Sequence, residues 1–73
     1  MKDIKLLDFL VEWYLKHGVR GITFSPEERR SIVSEMFYSA REHDFIIYIE
    51  TPGNNYTYQL APRGVAYING EKS

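Results

Sequence analysis

The sequence contains no cysteine, only three prolines among 73 residues, and almost no excess of either charge. Without cysteine, no disulfide can staple the domain, and this composition fits a reducing cytoplasm. Nine Lys and Arg against ten Asp and Glu leave a formal net charge of −1. The chain as a whole therefore has no general attraction to phosphate or to anionic lipid, and any contact with nucleic acid must come from local patches.

Long hydrophobic runs are also missing, so no segment predicts a membrane span, and the charged start of the chain does not resemble a signal peptide. We expect a cytoplasmic protein without membrane contact. Aromatic residues, in contrast, make up 15% of the chain and apolar residues 44%, which excludes a disordered protein. Residues 1–73 are predicted to form a single small α+β domain.

Apolar residues at helical spacing predict a first helix over residues 3–17, ended by Gly18 as a C-terminal cap. This helix is apolar on two sides. We expect one side to be buried in the core, namely Ile4, Leu7, Val11, Tyr14 and Leu15. We predict that Leu6, Phe9 and Trp13 form an exposed interface for a second copy in a homodimer or for another protein. The alternative is that the hairpin or the C-terminal segment covers these three residues.

A second helix is predicted to begin at Pro26, with a capping box formed by Ser25 and Glu28. No glycine or proline interrupts residues 27–44, and one apolar stripe follows that stretch. The pattern predicts one continuous helix that ends at about His43.

Short β-rich runs surround the second helix. Residues 21–24 predict a short strand, and residues 45–50 and 56–60 predict a hairpin around the turn at 51–55. Residues 61–68 predict a short C-terminal helical segment that starts with proline. Phe45, Ile47 and Ile49 are predicted to share one face of the hairpin. If the turn sets the matching register, Tyr56, Tyr58 and Leu60 pair across from them.

Two stretches of this sequence resemble the winged-helix family of DNA-binding domains. Residues 17–23 (HGVRGIT) are similar to the end of the family's first helix and the strand after it. Residues 58–67 (YQLAPRGVAY) are similar to its second wing strand and the segment that follows, with Ala61 in place of the usual Thr or Ser. The resemblance covers roughly residues 4–68. It implies a winged-helix-like fold with two main helices, a short strand, a hairpin and a short C-terminal helical segment.

The sequence departs from the family's pattern in two places. A helix-turn-helix needs two helices joined by a tight turn, and only one is predicted between Gly21 and Phe45. Either the first helix of that pair is missing, or the long helix breaks near residues 31–34. In addition, the hairpin over residues 45–60 contains no Lys or Arg to contact a DNA backbone.

The outer face of the second helix carries the predicted DNA contacts. The residues that lie within about 80° of one another on this face are Arg30, Ser34, Tyr38 and Arg41. Guanidinium and hydroxyl groups suit phosphate and base edges. The alternative is a solvated face on which neighbouring glutamates pair with the arginines. Arg20 and Arg63 are predicted as flanking phosphate contacts, with ordinary surface residues as the alternative.

Residues with obvious catalytic or metal-binding chemistry are scarce. There is no cysteine nucleophile and no glycine-rich phosphate loop, and His17 and His43 both lie at helix ends, where the helix dipole favours a cation. We expect no enzyme, no metal site and no cofactor. We predict a small regulatory protein that reads duplex DNA with the outer face of the second helix. The alternative is a protein interaction module, such as a small phage-type inhibitor or adaptor that docks on a larger machine through Leu6, Phe9 and Trp13.

Overall fold

The computed structural model describes residues 4–70 as four helices and one three-stranded antiparallel sheet. In chain order the elements are α1 (Ile4–His17), β1 (Ile22–Phe24), α2 (Pro26–Ile32), α3 (Glu35–Glu42), β2 (Ile46–Ile49), β3 (Tyr56–Leu60) and α4 (Pro62–Ile68). The strand order β1-β3-β2 makes β3 the central strand. The α+β class, the short strand, the hairpin and the C-terminal helix are confirmed, while the predicted start of the first helix at Asp3 lies outside the described residues. Among residues 4–70, no helix combines the length and the apolar character needed to cross a bilayer.

The prediction of one continuous second helix is wrong, because the chain breaks at Val33 and Ser34. Both residues have extended backbones, with φ −71° and ψ 129° at Val33 and φ −159° and ψ 174° at Ser34. The Ser34 hydroxyl accepts a hydrogen bond from the backbone N–H of Phe37 at 3.2 Å and so caps the new helix. Of the two alternatives that the sequence left open, the break near residues 31–34 is confirmed.

The start of α2 is the predicted capping box. The backbone N–H of Glu28 donates to the Ser25 hydroxyl at 3.2 Å, and the backbone N–H of Ser25 donates to the Glu28 carboxylate at 2.9 Å. The pKa of Glu28 is lowered, mainly by the hydrogen bond from the Ser25 backbone and next by the hydrogen bond with the Ser25 side chain. A carboxylate in the first turn is also favoured by the helix dipole.

The burial of α1 is the reverse of the prediction. Leu6 is 3% exposed and Trp13 4% exposed, and Phe9 is half-buried against the same core. The Trp13 ring packs between β1 and α3, with its centroid 5.7 Å from that of Phe24 and 6.2 Å from that of Phe37. The predicted interface of Leu6, Phe9 and Trp13 is therefore wrong, because these side chains are needed to fill the core between the helices and the sheet.

The opposite side of α1, which we expected to be buried, faces solvent. Ile4, Tyr14 and Leu15 are 71%, 46% and 77% exposed, respectively. Leu7 and Val11 on the same side are half-buried. These five residues are called the outer face of α1 below.

The hairpin is formed by β2 and β3, but its register differs from the prediction by one residue. Ile46 pairs with Leu60 and Tyr48 pairs with Tyr58, so these residues share the face of the sheet that contacts the core. Ile47, which was predicted to share a face with Tyr58, lies on the opposite face. Because side chains alternate along a strand, a shift of one residue exchanges the two faces.

The register follows from the residue just before β2. The Phe45 backbone N–H donates to the Ala40 carbonyl at 2.9 Å, and its carbonyl accepts from the Ala61 N–H at 2.8 Å. The bond to Ala61 extends the pairing of Ile46 with Leu60 by one residue toward the start of α4, and the bond to Ala40 ties the strand to the end of α3. A Cβ on Gly64 would lie 2.5 Å from the Phe45 carbonyl oxygen and 2.7 Å from the Cδ1 of Leu60. Only glycine at this position lets α4 approach the sheet so closely.

A matched pair of substitutions tests the orientation of α1. Leu6→Ala should destabilise the fold by about 2–5 kcal/mol, because it opens a cavity in the core. Leu15→Ala, the same change on the outer face of α1, should change the free energy of unfolding by no more than about 0.5 kcal/mol. Urea unfolding at low protein concentration measures both. An equal or larger cost for Leu15→Ala would contradict the orientation described here.

Candidate functional site

Helix α3 has one side fixed in the core and one side open. Phe37 and Ala40 are 1% and 0% exposed, and the Phe37 ring meets the ring of Tyr58 edge-on at 5.0 Å. On the open side, Tyr38 is 54% exposed, and Arg41 is half-buried beside it. The packed side holds the helix rigidly, so the positions of the open side chains are set by the sheet beneath.

An open groove of about 590 Å³ lies where α2, α3 and the central strand meet. The side chains that line it are Arg29, Phe37, Tyr38, Arg41, Glu42 and Tyr58. We call it the arginine groove. Its floor is aromatic and its walls carry two guanidinium groups, a combination that suits an anionic, planar or polar ligand.

Arg29 reaches the groove from α2 and is held by two tyrosines. Its Nε donates a hydrogen bond to the Tyr58 hydroxyl at 3.1 Å, and its Cζ lies 4.7 Å from the centroid of the Tyr56 ring. The hydrogen bond to Tyr58 is the main cause of a pKa at Arg29 that is raised above its ordinary value. These contacts orient a permanent positive charge at the groove.

Arg41 reaches the same groove from α3. Its Nη1 donates to the backbone carbonyl of Ile46 at 3.4 Å. Its Cζ lies 5.8 Å from the ring centroid of Tyr58 and 6.0 Å from that of Tyr48. Tyr58 thus contacts both arginines, one through its hydroxyl and the other through its ring face.

Neither arginine is neutralised by a carboxylate in the described part of the chain. Within residues 4–70, no carboxylate forms a salt bridge with Arg29 or Arg41, although Glu42 lines the same groove. The ion pair between Lys16 and Glu12, at 3.2 Å, lies on α1. The alternative of arginines paired with neighbouring glutamates is therefore not found in the described part of the chain.

The structure brings together two of the six residues predicted to contact nucleic acid. Tyr38 and Arg41 line the arginine groove. Ser34 lies at the start of the same helix, but its hydroxyl is engaged as the cap of α3. Arg20 is exposed in the loop after α1, Arg30 on α2 and Arg63 on α4, and none of them lines this groove.

Arg29 was missed by the sequence reasoning. On a continuous helix it would lie opposite Tyr38, because nine residues at 100° each place the two side chains about 180° apart. The signal that points to it is Tyr58. A tyrosine on a central strand is buried, here to 3% exposure, and its hydroxyl needs a hydrogen-bonding partner.

A second depression, of about 270 Å³, lies beside His17 and Trp13. The His17 ring meets the Trp13 ring edge-on at 4.9 Å and the Phe24 ring at 5.8 Å. Burial, followed by repulsion from Lys16 and Arg20, lowers the pKa of His17. No group of three or more histidines and carboxylates is arranged to hold a metal ion anywhere in residues 4–70.

No protein-family model matches this chain, and no curated protein or solved structure matches it at significant similarity.

The lowered pKa of His17 predicts how stability depends on pH. The folded state favours the neutral imidazole, so between the lowered pKa and about 6.5 the unfolded state binds more protons. Stability should be constant above about pH 7 and should fall as the pH decreases through about 6.5. Urea unfolding from pH 7.5 to 5.5 measures this, and His17→Gln should weaken the dependence. An identical pH profile in the variant would contradict the assignment to His17.

Proposed function

We propose that this protein is a small regulatory protein that binds duplex DNA, with α3 in the major groove. The observation that carries the proposal is the pair α2 and α3, joined only by Val33 and Ser34. In a helix-turn-helix the second helix is presented to the major groove while the first supports it. Here α3 is likewise packed on the sheet along one side and open along the other.

The order of the elements supports the same proposal. A helix, a short strand, two helices, a hairpin and a final helix follow one another as expected for a winged-helix-like domain. The hairpin between β2 and β3 contains no Lys or Arg, so we assign the phosphate contacts to Arg41 and the arginine groove rather than to the hairpin. We propose that the protein acts by binding rather than by catalysis, in a reducing cytoplasm.

The open side of α3 offers few but suitable groups for DNA. The Tyr38 hydroxyl can donate to a phosphate oxygen, and the Glu35 carboxylate, on an exposed residue near the start of α3, can accept from the amino group of a cytosine. With a net charge of −1, non-specific affinity comes from a small number of phosphate contacts. We therefore expect weak binding to mixed sequences and a shallow salt dependence.

A titration of the purified protein against mixed-sequence duplex DNA at low and moderate salt tests this function. We expect a dissociation constant in the range of about 10⁻⁴ to 10⁻⁶ M near physiological salt, and tighter binding at low salt. Tyr38→Ala should weaken binding about tenfold, because one hydrogen bond to a charged group is lost.

Val19→Ala is the control for this experiment, since Val19 is also half-exposed but lies in the loop after α1. It should leave DNA binding unchanged. No binding by the wild-type protein at low salt would overturn the proposed function. Equal losses of DNA affinity in Tyr38→Ala and Val19→Ala would contradict the proposal that α3 contacts the DNA.

A second candidate function is self-association through the outer face of α1, in place of the interface that the structure contradicts. Ile4, Leu7, Val11 and Tyr14 follow one another at spacings of three, four and three residues, the a and d positions of a heptad. The high exposure of Ile4 and Leu15 leaves a continuous apolar stripe at the surface of the described domain. A second copy would place an identical stripe against it, as in a two-fold interface.

Sedimentation equilibrium over a range of protein concentrations tests this candidate. The wild-type protein should approach twice the monomer mass as concentration rises, and Leu15→Glu should remain a monomer because it places a charge in the apolar stripe. Ser31→Glu, which adds the same charge on exposed α2, should still associate. A wild-type monomer at all concentrations would contradict the candidate.

A further inference from the structure

The two arginines of the arginine groove come from different helices, and both contact the side chain of Tyr58. The Tyr58 hydroxyl accepts from the Nε of Arg29 at 3.1 Å, and the Tyr58 ring lies 5.8 Å from the Cζ of Arg41. Tyr58 is 3% exposed on the central strand. Both guanidinium groups are thus positioned by a residue that cannot move independently of the core.

Each guanidinium group keeps unused hydrogen-bond donors. Arg29 uses its Nε, so both of its Nη groups have no partner within residues 4–70. Arg41 uses Nη1 on the Ile46 carbonyl, which leaves its Nε and Nη2 without a partner in the same part of the chain. Two fixed, unpaired cations with free planar donors are a combination that recognises phosphate oxygens.

We propose that the arginine groove is a preformed phosphate site, formed by Arg29 and Arg41. Resting on the proposed DNA-binding function, its occupant is a backbone phosphodiester of the duplex that α3 contacts. Tyr38, which is 54% exposed, lines the same groove, and its hydroxyl can serve as a third donor. Because the donors are already oriented, binding the phosphate costs little side-chain ordering.

Glu42 gives the site a distinctive property. Glu42 lines the groove and forms no salt bridge within residues 4–70, so its negative charge repels any anion that enters. Replacing it by glutamine should therefore strengthen phosphate binding. A gain of affinity cannot arise from partial unfolding, which makes this variant a sharper test than a loss of function.

The first arm of the test uses inorganic phosphate and the protein alone. Titration is followed through the Nε–H resonances of the arginines in ¹H–¹⁵N spectra. The resonances of Arg29 and Arg41 should shift along saturating curves, whereas those of Arg20, Arg30 and Arg63 should not saturate. Glu42→Gln should lower the phosphate concentration at half saturation. Equal, non-saturating shifts at all five arginines would overturn the site.

The second arm uses duplex DNA and measures affinity against salt. Arg29→Gln should weaken binding about tenfold and reduce the slope of log K against log salt by about one, as expected for one lost phosphate contact. Lys16→Gln removes the same charge from α1 and is the matched control. Equal effects of the two variants would show only a general charge effect and would overturn the site.

The two arms separate failure of this site from failure of the proposed function. If the protein binds no duplex DNA but phosphate still saturates Arg29 and Arg41, the proposed function fails and so does the assignment of the occupant to nucleic acid. If DNA binds with an unchanged salt slope in Arg29→Gln, the function survives and the phosphate site is overturned. Unfolding curves of each variant verify that the domain remains folded.

Discussion

The edge-to-face contact between Tyr58 and Phe37, at 5.0 Å, connects the central strand with α3, and the other features of the molecule are arranged around it. The Phe37 ring extends inward to Trp13 of α1 at 6.2 Å, which ties the first helix to the same cluster. The Tyr58 ring extends outward, where its hydroxyl and its face hold Arg29 and Arg41. One pair of rings therefore determines both how the core closes and where the positive charges stand, so the candidate site is a direct continuation of the core.

Elements marked by local chemistry could be predicted from the sequence. Ser25 and Glu28 specify a helix start through their own hydrogen bonds, and the turn at 51–55 specifies a hairpin through its backbone preferences. The break at Val33 has no such marker, because neither glycine nor proline is present. A serine such as Ser34 can either cap the start of a helix or lie on the surface of a continuous helix. Only the packing of α2 and α3 decides between these two positions.

The orientation of α1 and the register of β2 depend on contacts distant in sequence. A helix with apolar residues on two sides has no preferred buried face until its neighbours are in place, and Trp13 is selected because its ring fits between Phe24 and Phe37. The register of β2 is anchored at Phe45, whose N–H donates to Ala40 and whose carbonyl accepts from Ala61, one step beyond the pair of Ile46 and Leu60. In both cases the deciding interaction joins segments that periodicity analysis treats separately.

A chain with a net charge of −1 can still concentrate positive charge on one part of its surface. The break after α2 changes the rotational phase between the two helices, so Arg29, rather than its neighbour Arg30, faces the groove that contains Arg41. Tyrosine rings on the core side and the absence of a salt-bridging carboxylate within residues 4–70 leave the two charges concentrated in one place. Average composition excludes a general affinity for phosphate, whereas the fold of residues 26–60 brings Arg29 and Arg41 to the same groove. Tyr58 contacts one guanidinium group through its buried hydroxyl and the other through its ring face. This local placement has more influence on what the surface can bind than the overall balance of acidic and basic residues.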